Sequence, residues 1–97
     1  MYASIAVWTF RTVPSDEIIR RTELDAVDPF TKSTGFVSYY LVRTAELEVT
    51  TFHLWDTQQH ADDAVRQVAP TLQQIIGQHL AGPPVRSGGA VLVRRPL

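Results

Sequence analysis

The chain has 97 residues, 44% of them hydrophobic and 20% charged, and its formal net charge is −1. Length and composition are those of one globular domain, residues 1–97, and exclude a disordered or fibrous protein. The scattered basic residues offer no positive patch to nucleic acid or to an anionic membrane, and the absence of cysteine excludes disulfides, thiolate metal sites and a cysteine nucleophile.

The first half of the chain predicts a strand, a helix and a hairpin. Residues 2–10 are β-branched and aromatic, with Trp8 and Phe10 on one face and Ile5 and Val7 on the other, as in a strand covered on both sides. Ser15 is a helix N-cap, and the helix should end or loosen in the upper twenties, where Asp28 precedes Pro29. Residues 36–43 and 49–55 then predict an antiparallel hairpin.

The second half predicts a long helix and a last strand. Asp56 and Thr57 cap the helix, and apolar residues follow at helical spacing up to Leu80. Pro70 should cause a kink or divide this segment into two abutting helices. Ser87, Gly88 and Gly89 should form a turn or bulge before a strand at 90–93.

The predicted order is therefore β-α-β-β-α-β, an α+β ferredoxin-like fold with an antiparallel sheet and two helices on one face. Because the other face is also apolar, we expect a homodimer in which a second copy covers it. The start of the chain lacks a secretory signal, and no apolar run approaches the roughly 18 residues of a transmembrane helix. We expect a cytoplasmic protein without a nucleic-acid or membrane partner.

Strand two opens with Gly35 and Phe36, and strand three is aliphatic and ends in Trp55, Asp56 and Thr57. Together with residues 40–44, 49–52 and 61–64, these segments resemble the antibiotic-biosynthesis-monooxygenase family over nearly the whole chain. The resemblance implies a dimeric α+β barrel. For aromatic-polyketide members it also implies oxidation of a phenolic substrate by molecular oxygen without a cofactor, in a dry aromatic pocket with a group that accepts or steers a proton.

Haem-degrading members of the same family rely on an Asn in the first strand and on a Trp and a His of the second helix. This sequence contains no Asn, its first strand has Trp8 near the corresponding position, and the helix Trp is missing. Haem degradation is therefore excluded, and we expect no cofactor.

The candidate site residues are histidines and strand aromatics. His53, in the middle of a strand, and His79, on the apolar stripe of the second helix, are candidate proton acceptors, although either is also consistent with a hydrogen-bonded core histidine. Tyr40 is the candidate hydrogen-bond partner. The expected walls for a small aromatic ligand are Trp8, Phe10, Phe36 and Trp55, which could equally be core residues.

No metal site is expected, because His53, His60 and His79 lack ligand spacing on one element. Three functions stay open at this point: a cofactor-independent monooxygenase acting on a small aromatic or polyketide-like molecule, a non-catalytic ligand-binding or structural dimer, and an isomerase or cyclase on the same scaffold.

Overall fold

The structure, a computed structural model, describes residues 1–95. It confirms the ferredoxin-like α+β fold, with a four-stranded antiparallel sheet and helices against one face. The elements are β1 (Tyr2–Thr9), α1 (Asp16–Thr22), a π-helical turn (Glu23–Val27), α2 (Asp28–Thr31), β2 (Phe36–Ala45), β3 (Glu48–Trp55), α3 (Gln58–Ile76), a 3₁₀ turn (Gly77–His79) and β4 (Val85–Ala90).

The sheet has the strand order β2-β3-β1-β4, with every neighbouring pair antiparallel. Alternation along the central strands β1 and β3 separates its two faces. Trp8 and His53 are buried under the helices. Ile5 pairs with Phe52, and Phe52 with Tyr40, on the opposite face, where Phe52 is 40% and Tyr40 62% exposed. This outer face is apolar and uncovered in the single chain.

A continuous helical segment, residues 16–31, runs through α1, the π-helical turn and α2. It begins where the Oγ of Ser15 accepts a hydrogen bond from the backbone N–H of Ile18 at 3.2 Å. Pro29 has no N–H to donate to the preceding turn, and its ring crowds that turn, which accounts for the wider π-helical turn just before it. The segment loosens where the sequence predicts, but it remains helical to Thr31.

The second helix, α3, is a single element that passes through Pro70, so the alternative of two abutting helices is wrong. Its start is capped by Thr57, whose Oγ1 accepts from the backbone N–H of His60 at 3.2 Å. Pro70 is exposed, so its ring projects away from the sheet and the missing backbone hydrogen bond lies on the solvent side. Packing of the apolar stripe on the sheet keeps the helix intact.

The last strand is Val85–Ala90, and the predicted strand at 90–93 is wrong. The Gly-Gly pair lies within the strand and pairs with β1, in which Ser4 faces Gly88 and Ala3 faces Gly89. A side chain at Gly88 would collide with the hydroxyl of Tyr2. Gly88 is therefore needed for the close approach of the Tyr2 side chain rather than for a turn, whereas Gly89 has open space where a side chain would stand.

The buried residues form two clusters between sheet and helices. One surrounds Trp8 and Phe10 and extends to Ile75 and Ile76 at the end of α3. The other surrounds the fully buried Trp55, against which Phe30 packs. Among residues 1–95, no helix is long and apolar enough to cross a membrane.

Candidate active site

A pocket lies between the helices and the sheet, at the boundary of the two clusters. Its empty space, including the open end, is about 360 Å³. Apolar side chains of the π-helical turn, α2 and α3 form most of the wall. The polar side chains in it are Tyr39, Thr51, His53 and Arg86, with the edge of Trp8 beside them. We call this space the helix–sheet pocket; its lining, mostly apolar with a few polar groups, is typical of a site for a small organic ligand.

Two further spaces adjoin the helix–sheet pocket. One, of about 400 Å³, extends towards Phe10 and Ile18 and shares Trp8, Tyr39 and Thr51 with it. The other is an open cleft of about 1090 Å³, solvent included, between β2 and the helical segment 16–31. Tyr39 borders all three spaces.

His53 is the polar centre of the helix–sheet pocket. It is 4% exposed, and its Nδ1 accepts a hydrogen bond from the indole Nε1–H of Trp55 at 2.6 Å. The ring of Tyr39 stacks on it at 5.8 Å, and Phe30 meets it edge-on at 5.0 Å. Burial, and after it the positive charge of Arg86, lower the pKa of His53 to about 4. His53 is therefore uncharged at neutral pH.

Some of the other polar groups of the pocket have hydrogen-bond partners within residues 1–95, and one hydroxyl has none there. The indole Nε1–H of Trp8 donates to Oγ1 of Thr51 at 3.1 Å, and Thr51 in turn donates to the carbonyl of Ala6 at 3.5 Å. The hydroxyl of Tyr39 has no partner among the described residues, and burial raises its pKa to about 12, so it keeps its proton.

Arg86, on β4, is the charged group of the pocket. Its guanidinium carbon lies 5.3 Å from the centre of the Trp8 ring, within cation–π range. Burial lowers the pKa of Arg86 from its usual value. Within residues 1–95 it forms no ion pair, since the pairs there join Arg21 to Asp25 and Arg66 to Asp63. Its charge is therefore free to attract an anionic group of a ligand.

The structure brings some of the sequence-predicted site residues to this region. Trp8 and His53 line the helix–sheet pocket, and Phe10 lines the adjoining space. Phe36 borders the open cleft and packs edge-on against Trp55 at 5.5 Å. Trp55 itself is fully buried behind His53, so it contacts the histidine rather than the open space.

The other two sequence-predicted site residues, Tyr40 and His79, lie outside the helix–sheet pocket. Tyr40 is on the outer face of the sheet, so within one chain it cannot contact a ligand in the helix–sheet pocket. His79 lies in the 3₁₀ turn after α3, where its carbonyl accepts from the backbone N–H of Arg11 at 2.9 Å, and it lines none of the three spaces described above.

Sequence reasoning missed Phe30 and Arg86, and it considered Tyr39 only as one of several strand aromatics that could stack on a flat ligand. The signal for Phe30 was its helical spacing with Ala26, which predicts that both face the sheet. Tyr39 and Arg86 could not be found in this way, because a strand irregularity and the misplaced last strand determine their direction. In the described part of the chain, no group of three or more His, Cys, Asp or Glu could hold a metal ion.

No family sequence model matches the chain, and no curated protein matches it in sequence. Solved structures do match its fold. A candidate antibiotic biosynthesis monooxygenase from Nitrosomonas europaea has a TM-score of 0.80 at 12% identity, covering 96% of this chain and 100% of that one. SnoaB, a cofactor-independent oxygenase from Streptomyces nogalater, has a TM-score of 0.76 at 14% identity, covering 99% and 97%.

The monooxygenase from the gene ActVA-Orf6 of Streptomyces coelicolor, solved in complex with nanaomycin D, has a TM-score of 0.71 at 14% identity, covering 96% of this chain and 92% of that one. These likenesses extend over whole chains. The chain therefore has the fold of the antibiotic biosynthesis monooxygenases, the family that its sequence resembles.

Proposed function

We propose that the protein is a cofactor-independent monooxygenase of the antibiotic-biosynthesis-monooxygenase family, acting on a small aromatic or polyketide-like phenol held in the helix–sheet pocket. The observation that carries the proposal is the pocket itself. It combines apolar and aromatic walls with an uncharged His53 and the unpaired charge of Arg86. SnoaB, which shares the fold, is a cofactor-independent oxygenase.

This arrangement suits a substrate that supplies its own electrons. The positive charge of Arg86 favours the phenolate over the phenol, so the substrate loses its proton to solvent and can then give an electron to oxygen. Overall, a ring C–H of the phenol becomes a carbonyl: one atom of O₂ enters the product and the other leaves as water with two substrate hydrogens. No external reductant is consumed, and apolar walls keep water from the radical intermediate.

We further propose that two copies associate through the outer face of the sheet. Tyr40, Phe52 and Ile5 form a cross-strand row on that face, and Val42 and Val85 extend it at 42% and 71% exposure. Contiguous exposed apolar surface of this kind is unusual on a monomer. A second copy would cover it without involving the helix–sheet pocket.

Non-catalytic binding of the same ligands is the second candidate, favoured by the weak basicity of His53. A pKa of about 4 and the hydrogen bond from Trp55 make His53 a poor proton acceptor at neutral pH. An isomerase or cyclase, which depends on such an acceptor, fits the pocket less well.

The test is oxygen consumption by the purified protein with naphthols and hydroxyanthrones, in the presence of a metal chelator. We expect turnover that is lost in Val68→Phe, which fills the pocket, and retained in His79→Gln, outside it. Binding of these compounds without oxygen uptake would support the non-catalytic alternative. Absence of both would overturn the proposal.

A further inference from the structure

The contact between His53 and Trp55 decides which chemistry the histidine can perform. The two residues are two positions apart on β3, so their side chains lie on the same face of the sheet. The indole Nε1–H of Trp55 points at Nδ1 of His53, with 2.6 Å between the nitrogens. Because Trp55 is fully buried, its N–H has no water to bond instead.

This geometry permits only one neutral form of His53. A neutral imidazole has one N–H and one lone pair, and indole is a donor without an acceptor site. If the proton were on Nδ1, two hydrogens would face each other across the contact and the buried indole would lose its acceptor. The lone pair is therefore on Nδ1 and the proton on Nε2.

The Nε2 atom is open to the pocket. It has no partner among residues 1–95, and within that range the only fully buried side-chain polar atom without a partner is Nδ1 of His60. Nε2 is therefore reached by solvent, and the solvent-accessible space that His53 lines is the helix–sheet pocket.

We propose that Trp55 is a positioning residue that holds His53 in the Nε2–H tautomer, so that His53 presents a hydrogen-bond donor, and not a base, to an oxygen atom of the ligand. The inference rests on the proposed function only in taking the helix–sheet pocket as the ligand site. It reverses the role that the sequence suggests for His53, that of a proton acceptor.

The proposal specifies the class of ligand. Arg86 is a donor, the Tyr39 hydroxyl keeps its proton, and Nε2–H of His53 adds a third donor to the same wall. A ligand that fits presents acceptor oxygens, either quinone carbonyls or a phenolate. An aromatic amine of the same shape presents hydrogens and leaves Arg86 and Nε2–H of His53 unpaired, so we expect it to bind more weakly.

The tautomer can be measured directly on the ligand-free protein. In a ¹⁵N–¹H multiple-bond spectrum at pH 7, we expect the Nδ1 signal of His53 in the range of an unprotonated nitrogen and the Nε2 signal in the range of a protonated one. In Trp55→Phe, which removes the donor and keeps an aromatic ring, the two tautomers should mix. Trp8→Phe, in which the other tryptophan loses its bond to Thr51, should leave the tautomer of His53 unchanged.

Ligand selectivity provides the second readout. 1,4-Naphthoquinone and naphthalene have nearly the same shape, but only the quinone has acceptors. Because a mixture of tautomers leaves about half of the Trp55→Phe molecules with the Nε2–H donor, we expect the preference of this variant for the quinone over naphthalene to fall by about twofold. His79→Gln, at a residue that lines neither the pocket nor the adjoining spaces, should leave that preference unchanged.

A protonated Nδ1 in the wild-type spectrum would overturn the proposal, and this spectrum alone decides the tautomer if Trp55→Phe does not fold. An unchanged quinone preference in a folded Trp55→Phe variant would overturn it as well. Neither measurement involves oxygen uptake. A protein that consumes no oxygen yet shows the Nε2–H tautomer would refute the monooxygenase and leave the role of Trp55 standing.

Discussion

Phe36 and Tyr39 are three residues apart on β2 and yet face the same side of the sheet. The pairing shifts between them, since Phe36 pairs with Trp55 whereas Ser38 pairs with Leu54, which leaves Val37 as an extra residue in a β-bulge. The bulge reverses the alternation after Phe36. Tyr39 therefore stacks on His53 in the helix–sheet pocket, and Tyr40 faces outwards.

Alanine substitutions of Tyr39 and Tyr40 should have different effects, because the two side chains lie on opposite faces of the sheet. Tyr39→Ala removes the ring that packs on Phe30 and His53, and should lower the free energy of unfolding by about 2 to 4 kcal/mol and weaken ligand binding. Tyr40→Ala removes a side chain that is 62% exposed and should leave ligand binding unchanged. Urea unfolding and titration with 1,4-naphthoquinone measure both effects. Equal losses of binding in the two variants would contradict the placement of Tyr39.

The bulge also shows why fold and site were not equally predictable. The side chains of β1 are mostly apolar on both faces of the strand. Both faces must therefore be covered, and the predicted helices can cover one of them. Regular alternation from Phe36, however, places Tyr40 and not Tyr39 beside it. One extra residue in a strand moves every following side chain to the opposite face of the sheet. No residue type near Val37 indicates that a bulge occurs there.

The roles of His53 and Arg86 needed spatial information of a different kind. His53 was found from its type and its place on a strand, but the donor that fixes its protonation is visible only when the rotamers of His53 and Trp55 are known. Arg86 was missed because the two glycines after Ser87 suggested a turn. Gly88 is instead explained by the side chain of Tyr2, from the other end of the chain, which leaves no room for a Cβ atom there.

The protonation of His53 should make the protein less stable in mild acid. Because the folded pKa is lowered to about 4 from 6.5, the unfolded chain takes up the proton first as pH falls. The contribution of neutral His53 to the free energy of unfolding is fully present above pH 6.5 and is lost progressively as pH falls towards 4. It amounts to about 2 kcal/mol after allowance for solvent at Nε2. In His53→Asn, whose Oδ1 occupies the position of Nδ1 and can still accept from Trp55, this part of the pH dependence should disappear from urea unfolding curves.

Two further variants test the cause of this effect. His79→Gln removes a histidine outside the pocket and should keep the acid dependence of the wild type. Arg86→Gln removes the charge that opposes protonation but not the burial, so the pKa of His53 should rise part of the way towards 6.5 in an NMR titration. An unchanged pKa in Arg86→Gln would mean that the guanidinium is held away from the imidazole.

Gly88 should be the least replaceable glycine of β4. Gly88→Ala places a methyl group against the hydroxyl of Tyr2 and 2.9 Å from the carbonyl oxygen of Ala3, and should cost about 1 to 3 kcal/mol of unfolding free energy. Gly89→Ala, at the next position with open space around it, should change the stability by about 0.5 kcal/mol or less. Tyr2→Phe should restore part of the loss in Gly88→Ala. Similar losses in both glycine variants would contradict the Tyr2 contact as the cause.

A charge at the centre of the outer face should prevent the association of two copies. Phe52 lies between Ile5 and Tyr40 in the cross-strand row, so Phe52→Lys would bury an unpaired ammonium group in any dimer that covers this face. We expect light scattering to give the mass of a dimer for the wild type and of a monomer for Phe52→Lys, at micromolar protein. Leu24→Lys, on the helical segment and 56% exposed, is the matched control and should remain dimeric. A monomeric wild type, or a dimeric Phe52→Lys, would show that the outer face is not the interface.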